Sequence, residues 1–364
     1  MKVANITLHA VNNYGSILQT YATEYLFRML GCDVLTIDYV RKTLKMTPWD
    51  VIKAKRMPLK LKAKTLISML LIKGDEERAI KFRDFRKKYL TLTKRYTSNE
   101  ELKTSIPEAD VYCTGSDQTW NTVCQGDIPK AFFLDFVPLE KKKISFAASF
   151  GIKELPKEEI DEVKALLSKY DSISVREQSG VDIIERLGLQ STQVLDPTLA
   201  VPNEVWDDIA TPRMFKDDYI LAYKLNRSRR FTKYMRDFAN SKGMRLVLVR
   251  SRKEINFVNC TCLTSVGPQE WLSLIKNAKY VLTDSFHCTA FCILFHRQFM
   301  CILPPSYSDR IVNILQETGL TNRISTDAND YYKIDSVINY NSIDKWLLNK
   351  RNETIDFLKH ALVL

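Results

Sequence analysis

The stretch Val281-Leu282-Thr283-Asp284-Ser285-Phe286-His287-Cys288-Thr289-Ala290-Phe291 decides the fold class of this chain. An apolar run ends in a short polar turn, and apolar residues then recur at helical spacing, which predicts a strand, a turn and a helix. In open α/β sheets, ligands bind at such turns, at the carboxyl ends of the strands. The free N–H groups of a helix N-terminus favour an anion, and histidine is well suited to proton transfer near neutral pH. The turn therefore predicts a site that binds an anion and moves a proton.

On both sides of this turn, strand and helix patterns alternate along most of the chain. Residues 2–9 alternate as a strand, apolar residues recur at helical spacing from Ile17 to Leu30, and residues 34–39 form the next strand. Such a βαβ start implies a parallel sheet, and a second alternating series begins after Trp206. We therefore predict an α/β protein with two Rossmann-like, doubly wound domains that face a cleft.

The domain boundary is expected near residues 197–215, where three prolines occur. This places an N-terminal domain at residues 1–200 and a C-terminal domain at residues 201–364. A basic helical insertion is expected at about residues 45–95. The last helix, about 342–362, is a candidate to pack back on the N-terminal domain.

One segment carries the positive charge of the chain. Residues 41–95 hold 18 Lys and Arg against 5 Asp and Glu, a balance of +13, so the remainder of this +11 chain carries −2. Three interpretations are open: a solvated helical hairpin, attachment to an anionic membrane surface, or nucleic-acid binding. No nucleic-acid reader motif occurs in the chain, so nucleic acid is not expected as a partner.

Other classes of protein and site are disfavoured by the sequence. No apolar run reaches the roughly 18 residues that span a bilayer, and Met1 leads directly into a strand pattern, so a cytoplasmic location is expected. The pair Cys260 and Cys262 lacks a second pair at zinc-site spacing, so no metal site is expected. The turn at residues 13–16 is not a Gly-x-Gly-x-x-Gly fingerprint, which argues against a nicotinamide or flavin cofactor.

Four polar stretches occur in order at the ends of predicted strands and resemble the motifs of one family, the polysaccharide pyruvyl transferases. They are Asn13-Tyr14-Gly15-Ser16-Ile17-Leu18-Gln19, Gly115-Ser116-Asp117-Gln118-Thr119-Trp120-Asn121, Ser174-Val175-Arg176-Glu177 with Asp196-Pro197-Thr198 after it, and Asp284-Ser285-Phe286-His287. The resemblance implies a fold like that of two-Rossmann-domain glycosyltransferases. It also implies transfer of pyruvate from phosphoenolpyruvate to a sugar, usually as a cyclic ketal, with no further cofactor.

The resemblance also suggests partners. The acceptor would be a hexose, which we expect on a polyprenyl diphosphate lipid at the inner face of the membrane. Several family members carry an arginine two residues before the histidine, where this chain has Ser285, as in a bacterial subgroup with the motif Asp-Ser-Phe-His. Phosphoenolpyruvate carries a phosphate and a carboxylate, so the pocket needs other cations.

On the donor side, Arg176 follows an apolar strand and is the leading candidate to bind the anion; its alternative is a surface ion pair. Arg250 ends a strand and Arg310 begins a helix, so both are further donor-binding candidates. Ser285 is a helix cap or a phosphate ligand. His287 is the proposed acid–base group, and its alternative is a histidine that merely caps or packs.

Asp284 is the second candidate catalytic residue: it could orient His287 or accept a hydroxyl proton, and its alternative is to cap the following helix. On the acceptor side, by analogy with two-domain glycosyltransferases, the sugar should contact mainly the first domain. Hydrogen-bonding groups beside an aromatic face suit a sugar. The candidates are Asn13, Tyr14, Gly15, Gln19, Asp117, Gln118, Trp120 and Asn121, and for Trp120 alone a buried structural role is favoured.

Two other functions remain open on sequence grounds. The same fold could carry a glycosyltransferase that uses a nucleotide sugar. The second is a scaffold that binds a sugar or lipid without turnover. It remains open because this chain lacks the arginine that several family members carry two residues before the histidine.

Overall fold

The computed structural model describes residues 1–41, 76–226, 228–250, 259–304, 308–327 and 329–362. The helices expected between Trp49 and Ile72, and with them most of the expected basic insertion, lie outside the described residues.

The described strands are all parallel and fall into two main sheets and one short pair. They are β1 (Lys2–Ile6), β2 (Asp33–Tyr39), β3 (Leu92–Tyr96), β4 (Val111–Thr114), β5 (Lys142–Ser145), β6 (Ser174–Val175), β7 (Thr192–Gln193), β8 (Tyr219–Tyr223), β9 (Arg245–Val249), β10 (Cys260–Leu263), β11 (Tyr280–Thr283) and β12 (Gln298–Cys301).

Helices connect these strands, as parallel crossovers require. The described α-helices are α1 (Tyr14–Met29), α2 (Glu76–Tyr89), α3 (Asn99–Thr104), α4 (Thr122–Gln125), α5 (Ile160–Leu167), α6 (Gln178–Arg186), α7 (Pro197–Ala200), α8 (Asn203–Ile209), α9 (Arg229–Lys242), α10 (Pro268–Lys276), α11 (Phe286–Leu294), α12 (Asp309–Glu317) and α13 (Tyr340–Leu362).

The two sheets repeat one topology. The first has the order β3-β2-β1-β4-β5 and the second the order β10-β9-β8-β11-β12. In each, the chain winds outward in one direction and then in the other, which is the doubly wound Rossmann arrangement. The prediction of two such units is confirmed. The crevice of each sheet lies at its switch point, between β1 and β4 in the first and between β8 and β11 in the second.

The short pair β6-β7 continues the first sheet beyond β5. Isolated bridges join Ile144 to Ser172 and Ala148 to Val175. Because this pair is also parallel, the residues that follow β6 and β7 lie at the same edge as those that follow β1 and β4. That edge therefore gathers side chains from four separate stretches of the first half of the chain.

Helix α1 packs at the junction of the two sheets. Its Tyr14 ring stacks on Trp271 of α10, with ring centroids 4.9 Å apart and an interplanar angle of 4°. The Tyr14 hydroxyl donates to the carbonyl of Val266 at 2.9 Å. Both rings are almost completely buried, so this contact joins the N-terminal helix to the second sheet.

Helix α13, near the C-terminal end of the chain, contacts the segment that follows β7. The Arg351 Nε atom donates to the carbonyl of Leu199 at 2.8 Å, and the Thr354 hydroxyl accepts from the backbone N–H of Leu195 at 3.1 Å. The short helix α7 in this segment also packs on α1 and α11. It is therefore in contact with helices that belong to both sheets.

Cys260 and Cys262, the pair considered as a metal site, lie on β10, the edge strand that pairs with β9. Within the described ranges no three His, Cys, Asp or Glu side chains are grouped so that they could hold a metal ion. Among the same residues, no helix combines the length and apolar character needed to cross a bilayer.

Replacing Tyr14 with Phe should lower the free energy of unfolding by about 1 kcal/mol, because the buried Val266 carbonyl would lose its donor while the ring stack remains. Urea unfolding would measure the change. The control is Tyr332→Phe, since Tyr332 is largely exposed and should change stability by less than about 0.5 kcal/mol. Equal stability of the two variants would contradict the assigned contact.

Candidate active site

His287 lies where the two sheets meet. It is the second residue of α11, directly after β11, and only 7% of its surface is exposed. Its ring lies against Gly15 in the first turn of α1, and a methyl group on Gly15 would overlap the imidazole. The first and last of the four motifs are thus in direct contact, and Gly15 is required there because it has no side chain.

Arg176 forms the centre of a buried charge cluster. Its side chain is fully buried, and its Nη1 atom lies 2.6 Å from Asp196 Oδ2. Its Nη2 atom lies 3.3 Å from Asp117 Oδ1, and its Nε atom lies 3.6 Å from Glu177 Oε2. Burial by itself would lower the pKa of the guanidinium, but Asp196 and then Asp117 raise it above its ordinary value. Arg176 is therefore a permanent cation whose charge is balanced inside the protein.

Asp196 links this cluster to His287. Its Oδ1 atom accepts from the backbone N–H and the hydroxyl of Thr198, at 3.0 and 2.7 Å. Its Oδ2 atom accepts from Arg176 and from the Ser116 hydroxyl, and lies 3.7 Å from His287 Nε2. Burial would raise the pKa of this carboxyl group, but the neighbouring His287 and Arg176 lower it well below its usual range. The sequence motif contained Asp196, but sequence reasoning gave it no role.

Asp117 joins the cluster to α1. It accepts a hydrogen bond from the Ser16 hydroxyl, and it has a φ of 80°, a conformation in which Asp and Asn are tolerated better than most residues. Burial would raise the pKa of Asp117, but the charges of Arg176 and His287 and the Ser16 hydrogen bond lower it. Asp117, a candidate for acceptor binding, therefore pairs with Arg176 and lies close enough to His287 for the two charges to interact.

Arg310, at the start of α12, lies near the same Phe286 ring as Arg176. The guanidinium carbons of Arg176 and Arg310 lie 5.1 and 5.8 Å from the Phe286 ring centroid. Burial, and then the charge of Arg176, lowers the pKa of Arg310 to about 10. Its Nε atom is enclosed and has no hydrogen-bond partner among the described residues.

An open pocket adjoins this pair of guanidinium groups. Its lining combines the cations Arg310 and Lys350 with the apolar side chains of Phe286, Leu199 and Ile314, and it also includes the carboxylates of Asp196 and Glu317. The two cations beside apolar side chains suit a small anion that also has an uncharged part.

The second catalytic candidate, Asp284, and the donor-side candidate Ser285 both have structural contacts. Asp284 accepts from the backbone N–H groups of Leu225 and Asn226, at 2.7 and 2.9 Å, and so ties the end of β11 to the end of β8. Burial raises the pKa of Asp284. Ser285 is the N-cap of α11, where its hydroxyl accepts from the N–H of Cys288. The cap role that the sequence left open for Asp284 thus belongs to Ser285.

Arg250 follows β9, close enough to Lys224 for its charge to affect that side chain. Burial, and then the charge of Arg250, lowers the pKa of Lys224, and Asp284 opposes this effect. Arg250 therefore lies near Lys224, a side chain whose pKa Asp284 also affects.

Most acceptor-side candidates have internal contacts. The Asn13 side chain caps α1, and the Gln19 amide donates to Thr7 and Thr20 inside the first domain. Trp120 is fully buried, is stacked on Phe133 at 5.5 Å, and donates to the carbonyl of Phe132.

Two acceptor candidates remain beside the loop that carries Asp117. The side chain of Asn121 caps α4, and the partly exposed Gln118 lies within hydrogen-bonding distance of it. Of these two, Gln118 is the one with a side chain that can still reach solvent.

The family model for polysaccharide pyruvyl transferase matches residues 13–306. The chain belongs to this family. The match includes all four motifs, whereas the pocket residues Arg310, Ile314 and Lys350 lie beyond it. A comparison with curated proteins found no significant match.

Comparison with solved structures finds two-domain enzymes of the glycosyltransferase-B type. The S. aureus MnaA–UDP structure is similar with a TM-score of 0.54 and 10% identity, over 100% of this chain and 97% of that one. The UDP-GlcNAc 2-epimerase of Methanocaldococcus jannaschii, in complex with UDP-GlcNAc and UDP, gives 0.51 and 13%, over 100% and 99%. At these identities the likeness shows the fold alone, and it confirms the predicted glycosyltransferase-like architecture.

Replacing Gly15 with Ala should lower the melting temperature, because the added methyl group overlaps the His287 ring. Elsewhere in a helix this change stabilises by up to about 1 kcal/mol, so the expected sign is opposite to the ordinary one. In the Gly15→Ala/His287→Ala double variant the overlap is gone, and the added methyl group should no longer destabilise the protein. The melting temperatures of the wild type, Gly15→Ala, His287→Ala and the double variant measure the effect of the methyl group in both backgrounds. An increase in melting temperature for Gly15→Ala alone would contradict the contact.

Proposed function

We propose that the protein transfers pyruvate from phosphoenolpyruvate to a hexose, forms a cyclic ketal and releases phosphate. The observation that carries the proposal is the position of His287, which lies between the two sheets beside Asp196, with Arg310 nearby. A histidine enclosed at a cleft can move protons, and the adjacent cations suit a donor that is an anion. The family to which the chain belongs supports the same chemistry.

The proposed reaction needs several proton transfers. A proton from His287 is added to C3 of the enol, which leaves C2 electron-poor. A sugar hydroxyl then forms a bond to C2 and returns its proton to the imidazole. The C2–O bond to phosphate breaks, a second hydroxyl of the same sugar adds at C2, and its proton leaves with the phosphate. One imidazole can serve the first two transfers because both occur at neighbouring atoms.

We propose that Arg310, more than Arg250, supplies the cation that the motif lacks at Ser285. Arg310 contacts Phe286, the residue between Ser285 and His287, and its Nε atom has no partner among the described residues. An anion there would satisfy the N–H group and offset the repulsion from Arg176. Arg176 then acts on the donor mainly by electrostatic attraction at a distance, because three carboxylates already surround its guanidinium group.

Turnover should be detected as phosphate release from phosphoenolpyruvate in the presence of a hexose on polyprenyl diphosphate. His287→Ala should slow it about 10²- to 10⁴-fold, the usual contribution of a positioned acid–base group. The control is His360→Ala, because His360 is exposed near the end of α13 and its loss should leave the rate unchanged. A wild-type rate for His287→Ala would rule out the assigned role.

The same purified protein can be used to test the other two functions, a nucleotide-sugar glycosyltransferase and a scaffold without turnover. Thermal protection by UDP but not by phosphoenolpyruvate would favour a nucleotide-sugar glycosyltransferase. Binding of the lipid-linked sugar with no turnover of any donor would favour a scaffold.

The lipid-linked acceptor, a cytoplasmic location and a peripheral position at the inner membrane face are parts of the same proposal. The peripheral position rests on the basic character of residues 45–95, most of which lie outside the described residues. Vesicles with anionic lipid should bind the protein in low salt and release it in high salt, because salt screens such attraction. Absence of co-sedimentation, or binding that salt does not weaken, would contradict the electrostatic attachment.

A further inference from the structure

The Nε2 atom of His287 is enclosed and has no hydrogen-bond partner among the described residues. A buried polar atom without a partner is costly, and most such atoms in proteins are satisfied. The acidic group beside Nε2 is Asp196, whose Oδ2 atom is 3.7 Å away. This distance is too long for a hydrogen bond, but a movement of less than about 1 Å would form one.

Asp196 is built to accept that bond. Its position is fixed by four hydrogen bonds, two from Thr198 and one each from Arg176 and Ser116. Its side chain is fully buried, and its pKa is far below the ordinary value, so that it is a carboxylate throughout the physiological range. A fixed, ionised acceptor beside an imidazole selects the tautomer with a proton on the facing nitrogen.

We propose that Asp196 is the positioning residue of His287, accepting a hydrogen bond from Nε2–H and so leaving Nδ1 to exchange protons. The inference rests on the proposed acid–base role of His287. Catalytic hydrogen bonds are often long in the free enzyme and shorten when substrate binds. Asp196 does not touch the reacting atoms; it acts through the imidazole.

The two members of this pair come from opposite sides of the cleft. Asp196 precedes α7 at the edge of the first sheet, whereas His287 follows β11 of the second. The Nδ1 edge of the ring lies against Gly15, whose lack of a side chain leaves that nitrogen uncovered, since a methyl group there would overlap it. The functional tautomer is therefore set by contacts that exist only when the two sheets are docked.

Nitrogen-15 NMR of the imidazole groups tests the pairing without any turnover. The chain has four histidines, so the His287→Ala variant identifies the His287 signals. At pH 8, with and without phosphoenolpyruvate, the wild-type ring should carry its proton on Nε2. In Asp196→Asn an amide N–H replaces an acceptor beside Nε2, and the population with the proton on Nδ1 should rise.

The matched control is Asp117→Asn. Asp117 is also a carboxylate partner of Arg176, and its φ of 80° is well tolerated by Asn. This variant removes the same charge from the cluster without altering the group that faces Nε2, so the tautomer should stay as in the wild type. An equal tautomer population in the wild type and Asp196→Asn would overturn the proposal, as would an equal change in both variants.

Kinetics give a second readout. Asp196→Asn should lower kcat about 10²- to 10⁴-fold with KM for phosphoenolpyruvate changed less than about threefold, because orientation of the base affects the transition state and not donor binding. A large increase in KM with kcat unchanged would overturn the assigned role. If phosphoenolpyruvate is never turned over but the tautomer changes as expected, the proposed function fails and the pairing of Asp196 with His287 stands.

Discussion

The buried ion pair between Arg176 and Asp196 is the interaction on which the rest of the site depends. Both side chains are fully buried, and the two atoms lie 2.6 Å apart. Removing one partner of such a pair leaves an uncompensated buried charge, which typically costs about 3 to 5 kcal/mol. Neighbouring groups are arranged around this pair: Ser116 and Thr198 hold Asp196, and Asp117 holds Arg176. The position of His287 relative to the first sheet follows from it.

The repeated topology explains why these charges meet. In each sheet the strand order reverses next to the first strand, and the loops at that point open into a crevice. The two crevices face each other, and α1 and α7 contribute to the junction between them. Residues that are far apart in sequence, such as Gly15 and His287, are therefore in contact. Asp117, Arg176, Asp196 and His287 all come from segments that directly follow strands.

Much of the fold could be read from apolar periodicity. Apolar spacing predicts helices at Glu76–Tyr89 and Pro268–Lys276 and a strand at Arg245–Val249, and the structure has these bounds. It does not predict β3, because Leu92–Tyr96 contains two charged residues and only Tyr96 is buried. The apolar pattern of residues 143–149 predicts one strand, but β5 ends at Ser145, because the chain then bends and pairs only through isolated bridges.

The sequence predicts which residues belong to the site but not which of them are in contact. Strand ends and motif order indicated His287, Arg176 and Asp117, because side chains after parallel strands share an edge. Periodicity does not show which carboxylate meets which cation, and so Asp284 was expected near His287, whereas Asp196 occupies that position. Arg176 was expected to face the donor, but three carboxylates from separate stretches surround it.

We propose that His287, oriented from across the cleft, acts on an anion held beside Arg310. A crystal structure of the protein with phosphoenolpyruvate bound would test this. We expect the carboxylate or phosphate within hydrogen-bonding distance of Arg310, C3 of the enol beside the His287 ring, and an Nε2–Asp196 distance shortened below about 3.2 Å, the upper end for such a bond. Phosphoenolpyruvate bound beside Lys224 and Arg250, with His287 remote from the enol, would contradict it.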